Sequence, residues 1–309
     1  MIDFKDVLTR DEITVYTLRA LYAQHGYSQY KMSKFEEYDL YVKNKDFLVS
    51  DNVITFTDTD GRLLALKPDV TLSIIKNNKD NPDGLIKAQY NENVYRISGS
   101  THSFKELMQV GLECIGNVGM TEICETITLA KQSLDAIDSE NILAISQLDL
   151  IEALTEYASL SDMAKKNVLS ALSSKSSARI YDEVILDGGD GEKASLLASL
   201  ASFMMPLDCA LPALEKFRVS EKASLAIDTL GRVTEGLSPL SVKGIAVDFS
   251  IVGDMKYYNG IAMKGFISTV PESVISGGQY DKLMSQMGRR SRAVGFAVYL
   301  DSIERLAGR

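Results

Sequence analysis

Residues 94–116 read VYRISGSTHSFKELMQVGLECIG, and their pattern decides the fold. The stretch predicts two antiparallel strands, at 92–98 and 105–116, around a Gly-Ser-Thr loop. Side chains two apart in a strand share a face. Gln109, Gly111 and Glu113 therefore share one face, and Val110, Leu112 and Cys114 the other. The second face is apolar and seeks a core. The first is polar with glycine in its middle. It either leaves room for a molecule to lie flat on the sheet or is the wet side of a one-sided sheet. Arg96 sits on the preceding strand, and its guanidinium suits a carboxylate or phosphate.

Upstream, residues 66–71 read LKPDVT. Pro68 fixes the exit from a strand, and Asp69 and Thr71 then stand at a helix mouth. They cap that helix or accept a ligand ammonium group. Residues 52–67 read as a hairpin, with Asp60-Gly61 as its turn. The capping-box pattern Thr9-Arg-Asp-Glu12 opens a helix over 10–24.

Downstream, periodicity predicts a helix at 120–137, a strand at 141–147 and a helix from Asp149. Residues 161–235 are mostly helical, broken at 187–191 and at Pro206. They interrupt a strand-rich pattern as a candidate insertion, so the core is expected at 1–160 and 236–309. Strands return at 244–252 and 261–268, bridged by a polar loop with Lys256-Tyr257-Tyr258-Asn259-Gly260. Two tyrosines there can wall a pocket, or pack at the rim of an Asn-Gly hairpin. A turn at Gly277-Gly278, a helix at 280–287 and a strand at Ala293–Leu300 complete the order, with a short helix to the end. Hairpin-linked strands with helices in blocks argue for an α+β fold with an antiparallel sheet flanked by helices.

Composition narrows the functional classes. Of the 309 residues, 45% are hydrophobic and 24% charged, the balance of a globular protein. No apolar run approaches the ~18 residues of a membrane helix. The start lacks a signal-peptide core, and cytoplasmic placement is expected. Cys114, Cys124 and Cys209 have no metal-ligand spacing and read as small core residues. With His25 and His102 the only histidines, no metal site and no cofactor is expected. The formal net charge of -9 weighs against a nucleic-acid partner. The one dense basic cluster, Arg289, Arg290 and Arg292, reads as a solvated loop.

In order and spacing, these motifs resemble the class II aminoacyl-tRNA synthetases of the histidyl type, over about 10–118 and 242–303. Glu36-Glu-Tyr38 is similar to the first motif, which forms dimers, with Ser33 where its proline falls. Tyr95-Arg96 and Gln109-Val-Gly-Leu-Glu113 resemble the second motif. Leu-Lys-Pro-Asp-Val-Thr is similar to Leu-Arg-Pro-Glu-Gly-Thr. Tyr257-Tyr258 resembles the end of Arg-Gly-Leu-Asp-Tyr-Tyr, and Gly277-Gly-Gln-Tyr280-Asp281 resembles Gly-Gly-Arg-Tyr-Asp. Ala293-Val-Gly-Phe-Ala297 is similar to the strand of the third motif. The resemblance implies a histidine pocket at Asp69, Thr71, Arg96, Gln109, Glu113, Tyr257, Tyr258 and Tyr280. Asp69 is one methylene shorter than the usual glutamate.

The departures bear on chemistry. Two arginines that the resemblance places at the ATP site fall on Gly253 and Ser302, and the loop expected to be Arg-rich reads Ser100-Thr-His-Ser-Phe-Lys105. Adenylation relies on guanidinium groups aimed at phosphate oxygens. Losing one such donor costs about 3 kcal/mol, roughly 100-fold in rate. No catalytic residue and no aminoacylation activity are expected, and the sequence stops where an anticodon-binding domain would begin. This form resembles the regulatory subunits that partner the short-form ATP phosphoribosyltransferase in histidine biosynthesis. That resemblance implies a homodimer within a hetero-octamer with the catalytic subunit, and histidine as effector. A tRNA-independent amino-acid-activating ligase and a histidine-sensing module with another partner are the alternatives. Whether histidine sits in this pocket or at a subunit interface, which surface docks the partner and what 161–235 does are left open.

Overall fold

The computed structural model describes residues 7–43, 53–97, 103–238, 242–252, 255, 257–301 and 303. Helix α1 (Arg10–Gln24) starts at Thr9, whose hydroxyl accepts from the Glu12 backbone while Glu12 reaches back to the Thr9 backbone. Strands β1 (Ser28–Gln29) and β2 (Phe35–Glu37) and helix α2 (Tyr38–Lys43) follow. The expected hairpin is β3 (Thr55–Thr57) and β4 (Leu63–Leu66), which with β2 makes a three-stranded sheet. Helix α3 (Val70–Asn77) then begins at the LKPDVT segment.

The main sheet is built on β5 (Leu85–Ile97) and β6 (Phe104–Gly116), a long antiparallel pair. After them come α4 (Met120–Ile137), β7 (Asn141–Gln147) and α5 (Leu148–Tyr157). Residues 161–235 form α6 (Asp162–Ser173), α7 (Ser177–Leu186), α8 (Gly191–Ala198), the short β8 (Met204–Pro206), α9 (Leu207–Leu214) and α10 (Glu221–Gly236). Strands β9 (Ile245–Asp248), β10 (Asn259–Ile267) and β11 (Ile275–Gln279) precede the short helix Asp281–Gln286 and β12 (Arg292–Tyr299). The nine-stranded order is β1-β5-β6-β12-β11-β10-β7-β9-β8.

This is an α+β architecture with helices on both faces of the sheet. Val110, Leu112 and Cys114 pack with Val294 and Phe296 against α1 and α4. The opposite face buries Tyr90, Val94 and Ile115 against α3 and the helix Asp281–Gln286. The reading of Gln109 and Glu113 as a water-facing row is therefore excluded, since they are 4% and 2% exposed. Residues of α6 to α10 share the core cluster on the α4 side, and β8 joins the sheet at its edge beside β9.

Several expectations need correction. The sheet is not wholly antiparallel: β1 runs parallel to β5, and β7 parallel to β9. The strand expected at 92–98 is the second half of a longer one. The strand expected at 244–252 is only Ile245–Asp248, and β7 lies between it and β10, so Asn259-Gly260 turns no hairpin. Gly277 and Gly278 lie inside β11 rather than in a turn. A Cβ on Gly277 would run into the Gly295 carbonyl and Phe296, so packing selects glycine there. The arginine cluster is not simply solvated: Arg289 donates to the Ile75 carbonyl, and Arg292 pairs with Asp281. Cys209 is exposed, unlike Cys114 and Cys124.

Candidate functional site

The LKPDVT segment is pinned from both sides. The Lys67 backbone N–H donates to Lys34, and its carbonyl accepts from Tyr95 on β5. Lys67 itself is fully buried and donates to Glu92 at 2.9 Å. Its neighbour Asp69 caps α3, accepting from the Leu72 backbone at 2.9 Å. Capping satisfies one orphan N–H of the first turn and points Thr71 at the sheet.

Glu113 is the centre of the site. It accepts from the Thr71 hydroxyl at 2.6 Å on one oxygen and from the Tyr280 hydroxyl at 2.6 Å on the other. Tyr280 lies between β11 and the helix Asp281–Gln286, so three elements distant in sequence converge on one carboxylate. The Tyr257 ring lies 5.9 Å from Tyr280 and 4.7 Å from Tyr258, which extends the wall in aromatic contact.

The sheet beneath is lined by small residues. Strand register places Glu113, Gly295, Gly278, Ala262 and Ser146 in one row across β6, β12, β11, β10 and β7. A parallel row on the same face runs Gly111, Ala297, Ser276 and Lys264. Tyr90 stands opposite Gly111, where a Cβ would strike its hydroxyl. The protein's own side chains fill the space these glycines leave: the Glu113 carboxylate lies over Gly295 and the Tyr258 ring over Gly278.

Burial dominates the electrostatics here. Burial pushes the Glu113 carboxyl up to about 8, and the bonds from Thr71 and Tyr280 offset that only in part. Burial also raises Asp69, with Arg96 and the cap bonds opposing. The phenols of Tyr90, Tyr257 and Tyr280 are pushed well above their ordinary value by burial beside these carboxylates. A cation placed against Glu113 would favour its ionised form.

The structure brings Thr71, Glu113 and Tyr280 into direct contact, with Asp69, Tyr257 and Tyr258 around them. Gln109 lies buried on the same face, four residues before Glu113. Arg96 is turned toward the LKPDVT turn, its Nε donating to the Pro68 carbonyl at 3.2 Å. Gly253, Ser302, residues 98–102 and Lys256 lie outside the described residues. Sequence reasoning missed Tyr90, because the expected strand began beyond it. It also missed the buried Glu36, which accepts from Ser73 at 2.6 Å and Lys76 at 3.0 Å and so anchors α3. Its place in the first motif was the available signal. Among the described residues, no group of three or more His, Cys, Asp or Glu could hold a metal, and no helix is long and apolar enough to cross a membrane.

Three comparisons bear on this geometry. A family model described as histidyl-tRNA synthetase matches residues 6–303. An ATP phosphoribosyltransferase regulatory subunit from Bacillus mycoides is 27% identical over 293 residues, covering 93% of this chain and 69% of that protein. A crystal structure of an ATP phosphoribosyltransferase regulatory subunit/histidyl-tRNA synthetase from Bacillus halodurans superposes with a TM-score of 0.82 at 23% identity, covering 99% of this chain and 82% of the other. An ATP phosphoribosyl transferase (HisG:HisZ) complex from Thermotoga maritima contains a chain that superposes at 0.72 and 17% identity, with 97% of each chain covered.

Proposed function

The chain belongs to the histidyl-tRNA synthetase family, and on that premise we propose that it is a regulatory subunit of ATP phosphoribosyltransferase rather than a synthetase. The observation that carries this is a buried Glu113 carboxyl held by Thr71 and Tyr280 in a chain whose expected ATP-site arginine positions hold Gly253 and Ser302. Thr71, Glu113 and Tyr280, which meet at the positions the resemblance gives to the histidine pocket, support reading it as an amino-acid site. The charges that stabilise a developing pyrophosphate are gone. The names borne by relatives at 27% identity over 93% of the chain support the same reading.

In this reading the chain forms a homodimer and assembles with the short catalytic subunit as a hetero-octamer in the cytoplasm. Assembly raises phosphoribosyl-ATP formation. Histidine is the effector: its ammonium and imidazole meet Asp69, Thr71 and Glu113, and Tyr257, Tyr258 and Tyr280 wall the ring. Feedback requires histidine to prefer the less active assembly, and such coupling is typically about 1–3 kcal/mol. The segment 161–235 is an insertion within a core of 1–160 and 236–309.

A mixing assay tests the proposal. Phosphoribosyl-ATP formation by a short-form transferase is measured with and without the chain, then with added histidine. A rate increase that histidine suppresses supports it. An unchanged rate together with separate elution of the two proteins rejects it. Histidine-dependent exchange of label between pyrophosphate and ATP would instead favour the ligase alternative.

A further inference from the structure

Away from the Glu113 centre, a surface cleft of about 400 Å³ runs between α5 and α10. Asp149, Glu152 and Glu156 line its α5 side, and Lys222 and Leu225 its α10 side. Residues three, four and seven apart share a helix face, so each helix presents one stripe, about 10 Å long on α5. Between the stripes lie Ala153 and Ala226, 2% and 3% exposed, as the floor. Alanine on both helices leaves open a seam that larger side chains would fill. Leu225, 60% exposed, stands at the rim.

The charge of the cleft is one-sided. Glu156 holds Lys222 at 2.6 Å, so Asp149 and Glu152 set the net charge of the lining. Glu152 meets Lys165 and Lys282 at 3.7 and 3.3 Å, but neither lysine lines the cleft, and ion pairs this open to water are weak. Asp149 accepts from the Gly260 backbone at 3.1 Å. Both contacts lead to the site. Gly260 follows Tyr258 by two residues, and Lys282 follows Tyr280, the Glu113 donor, by two. A cation drawn to Asp149 and Glu152 therefore competes with contacts that fix both tyrosine-bearing segments.

We propose that the α5–α10 cleft docks an amphipathic helix of the catalytic subunit, with Lys or Arg toward Asp149 and Glu152 and an apolar side chain over Ala153, Ala226 and Leu225. This rests on the reading of the chain as a regulatory subunit of the transferase. A helix is the occupant because a seam between two helices with small facing residues accepts a third along its length, and two turns of groove engage its i, i+3 or i+4, and i+7 positions. The excess of carboxylate selects a basic face. The catalytic subunit is the partner because the same carboxylates hold the segments of Tyr258 and Tyr280. Docking and occupancy of the Glu113 site then bias each other, which a regulatory subunit requires.

Sedimentation velocity of the full chain with a short-form transferase tests this. Leu225→Arg puts a cation into the cleft at an exposed position and should weaken association at least about tenfold. Leu225→Glu should weaken it less, because its charge suits a basic partner. Leu186→Arg, at an 81% exposed position on α7 outside the cleft, should leave association unchanged. Thermal melts establish that each variant is folded. Association of the parent should also weaken as salt rises from about 50 to about 500 mM. Parent-like association by both Leu225 variants overturns the cleft while the regulatory reading stands. Equal losses from arginine and glutamate overturn the basic partner. Self-association of the chain that Leu225→Arg removes would assign the cleft to a second copy and overturn the proposal. A parent chain that does not associate at all rejects the regulatory reading, and the cleft with it.

Discussion

Gly295 on β12 stands directly across the ladder from Glu113 on β6, and a Cβ at position 295 would fall inside the Glu113 carboxylate. The glycine is thus the space that the carboxylate occupies. Gly295→Ala must expel Glu113 from its bonds with Thr71 and Tyr280 or shift the backbone near the Leu112 carbonyl. Overpacking of this kind costs about 1–3 kcal/mol. The expected outcome is a lowered melting temperature and loss of histidine binding, read by thermal denaturation and calorimetry. Unchanged values for both would show that the carboxylate position is not tied to this glycine.

Glu113 also makes stability depend on pH. Its carboxyl sits at about 8 in the folded protein against an ordinary 4.5. Between those values the native state holds a proton that the unfolded chain releases. Stability from this group is therefore fully present below about 4.5 and declines as pH rises toward about 8. Burial raises Asp69 in the same direction. Glu113→Gln should flatten the decline and leave the variant more stable than the parent at pH 8. Denaturant titrations across pH 5 to 9 measure it, and an unaltered slope would refute the assignment.

The same proton links ligand and pH. A cationic ligand favours the ionised carboxylate, so binding near neutral pH should release a proton from Glu113. Histidine affinity should rise from pH 6 to pH 8 in the parent by more than in Glu113→Gln. Calorimetry in buffers of different ionisation enthalpy counts the protons. Equal release in parent and variant would place the titrating group elsewhere.

Thr71 and Tyr280 act on Glu113 as a unit, each donating to a different oxygen. Tyr280→Phe and Thr71→Val each remove one donor from a buried carboxyl, at about 1–3 kcal/mol. Because both partners share one acceptor, their effects should be non-additive by roughly 0.5 kcal/mol or more in a double-mutant cycle. Additive losses would mean that the two hydroxyls do not communicate through Glu113.

Local signals carried much of the fold. The α1 start was legible because Thr9 and Glu12 cap within four residues, and α4 and β7 because their periodicity is uninterrupted. The first half of β5 was not. Lys87 pairs with Glu125 and Gln89 donates to the Tyr27 carbonyl, so polar side chains sit where alternation would place apolar ones. β11 was hidden by Gly277-Gly278, whose glycines answer to neighbouring strands rather than to a turn. At the site, the shared face of Gln109, Gly111 and Glu113 followed from strand period alone. The bond from Tyr280 to Glu113 spans 167 residues, and no local pattern contains it; only the family resemblance put both residues in one pocket.

Glu36 offers a test of how the pocket is held from behind. Its carboxylate is 7% exposed and ties β2 to α3 through Ser73, Lys76 and Asn77. Lys76 is about one-third exposed, so water screens that ion pair and its loss counts for little. Ser73 is fully buried, and removing its acceptor strands a hydroxyl at about 1–3 kcal/mol. Helix α3 also carries Thr71 in its first turn, with Asp69 as its cap, so a loosened α3 misplaces the Glu113 partner. Glu36→Ala should therefore lower stability by about 1–3 kcal/mol and weaken histidine binding, whereas Lys76→Ala changes either only slightly. Denaturant titration and calorimetry on the two variants decide this: comparable losses from both would make the ion pair, not the buried Ser73 bond, the element that sets α3 in place.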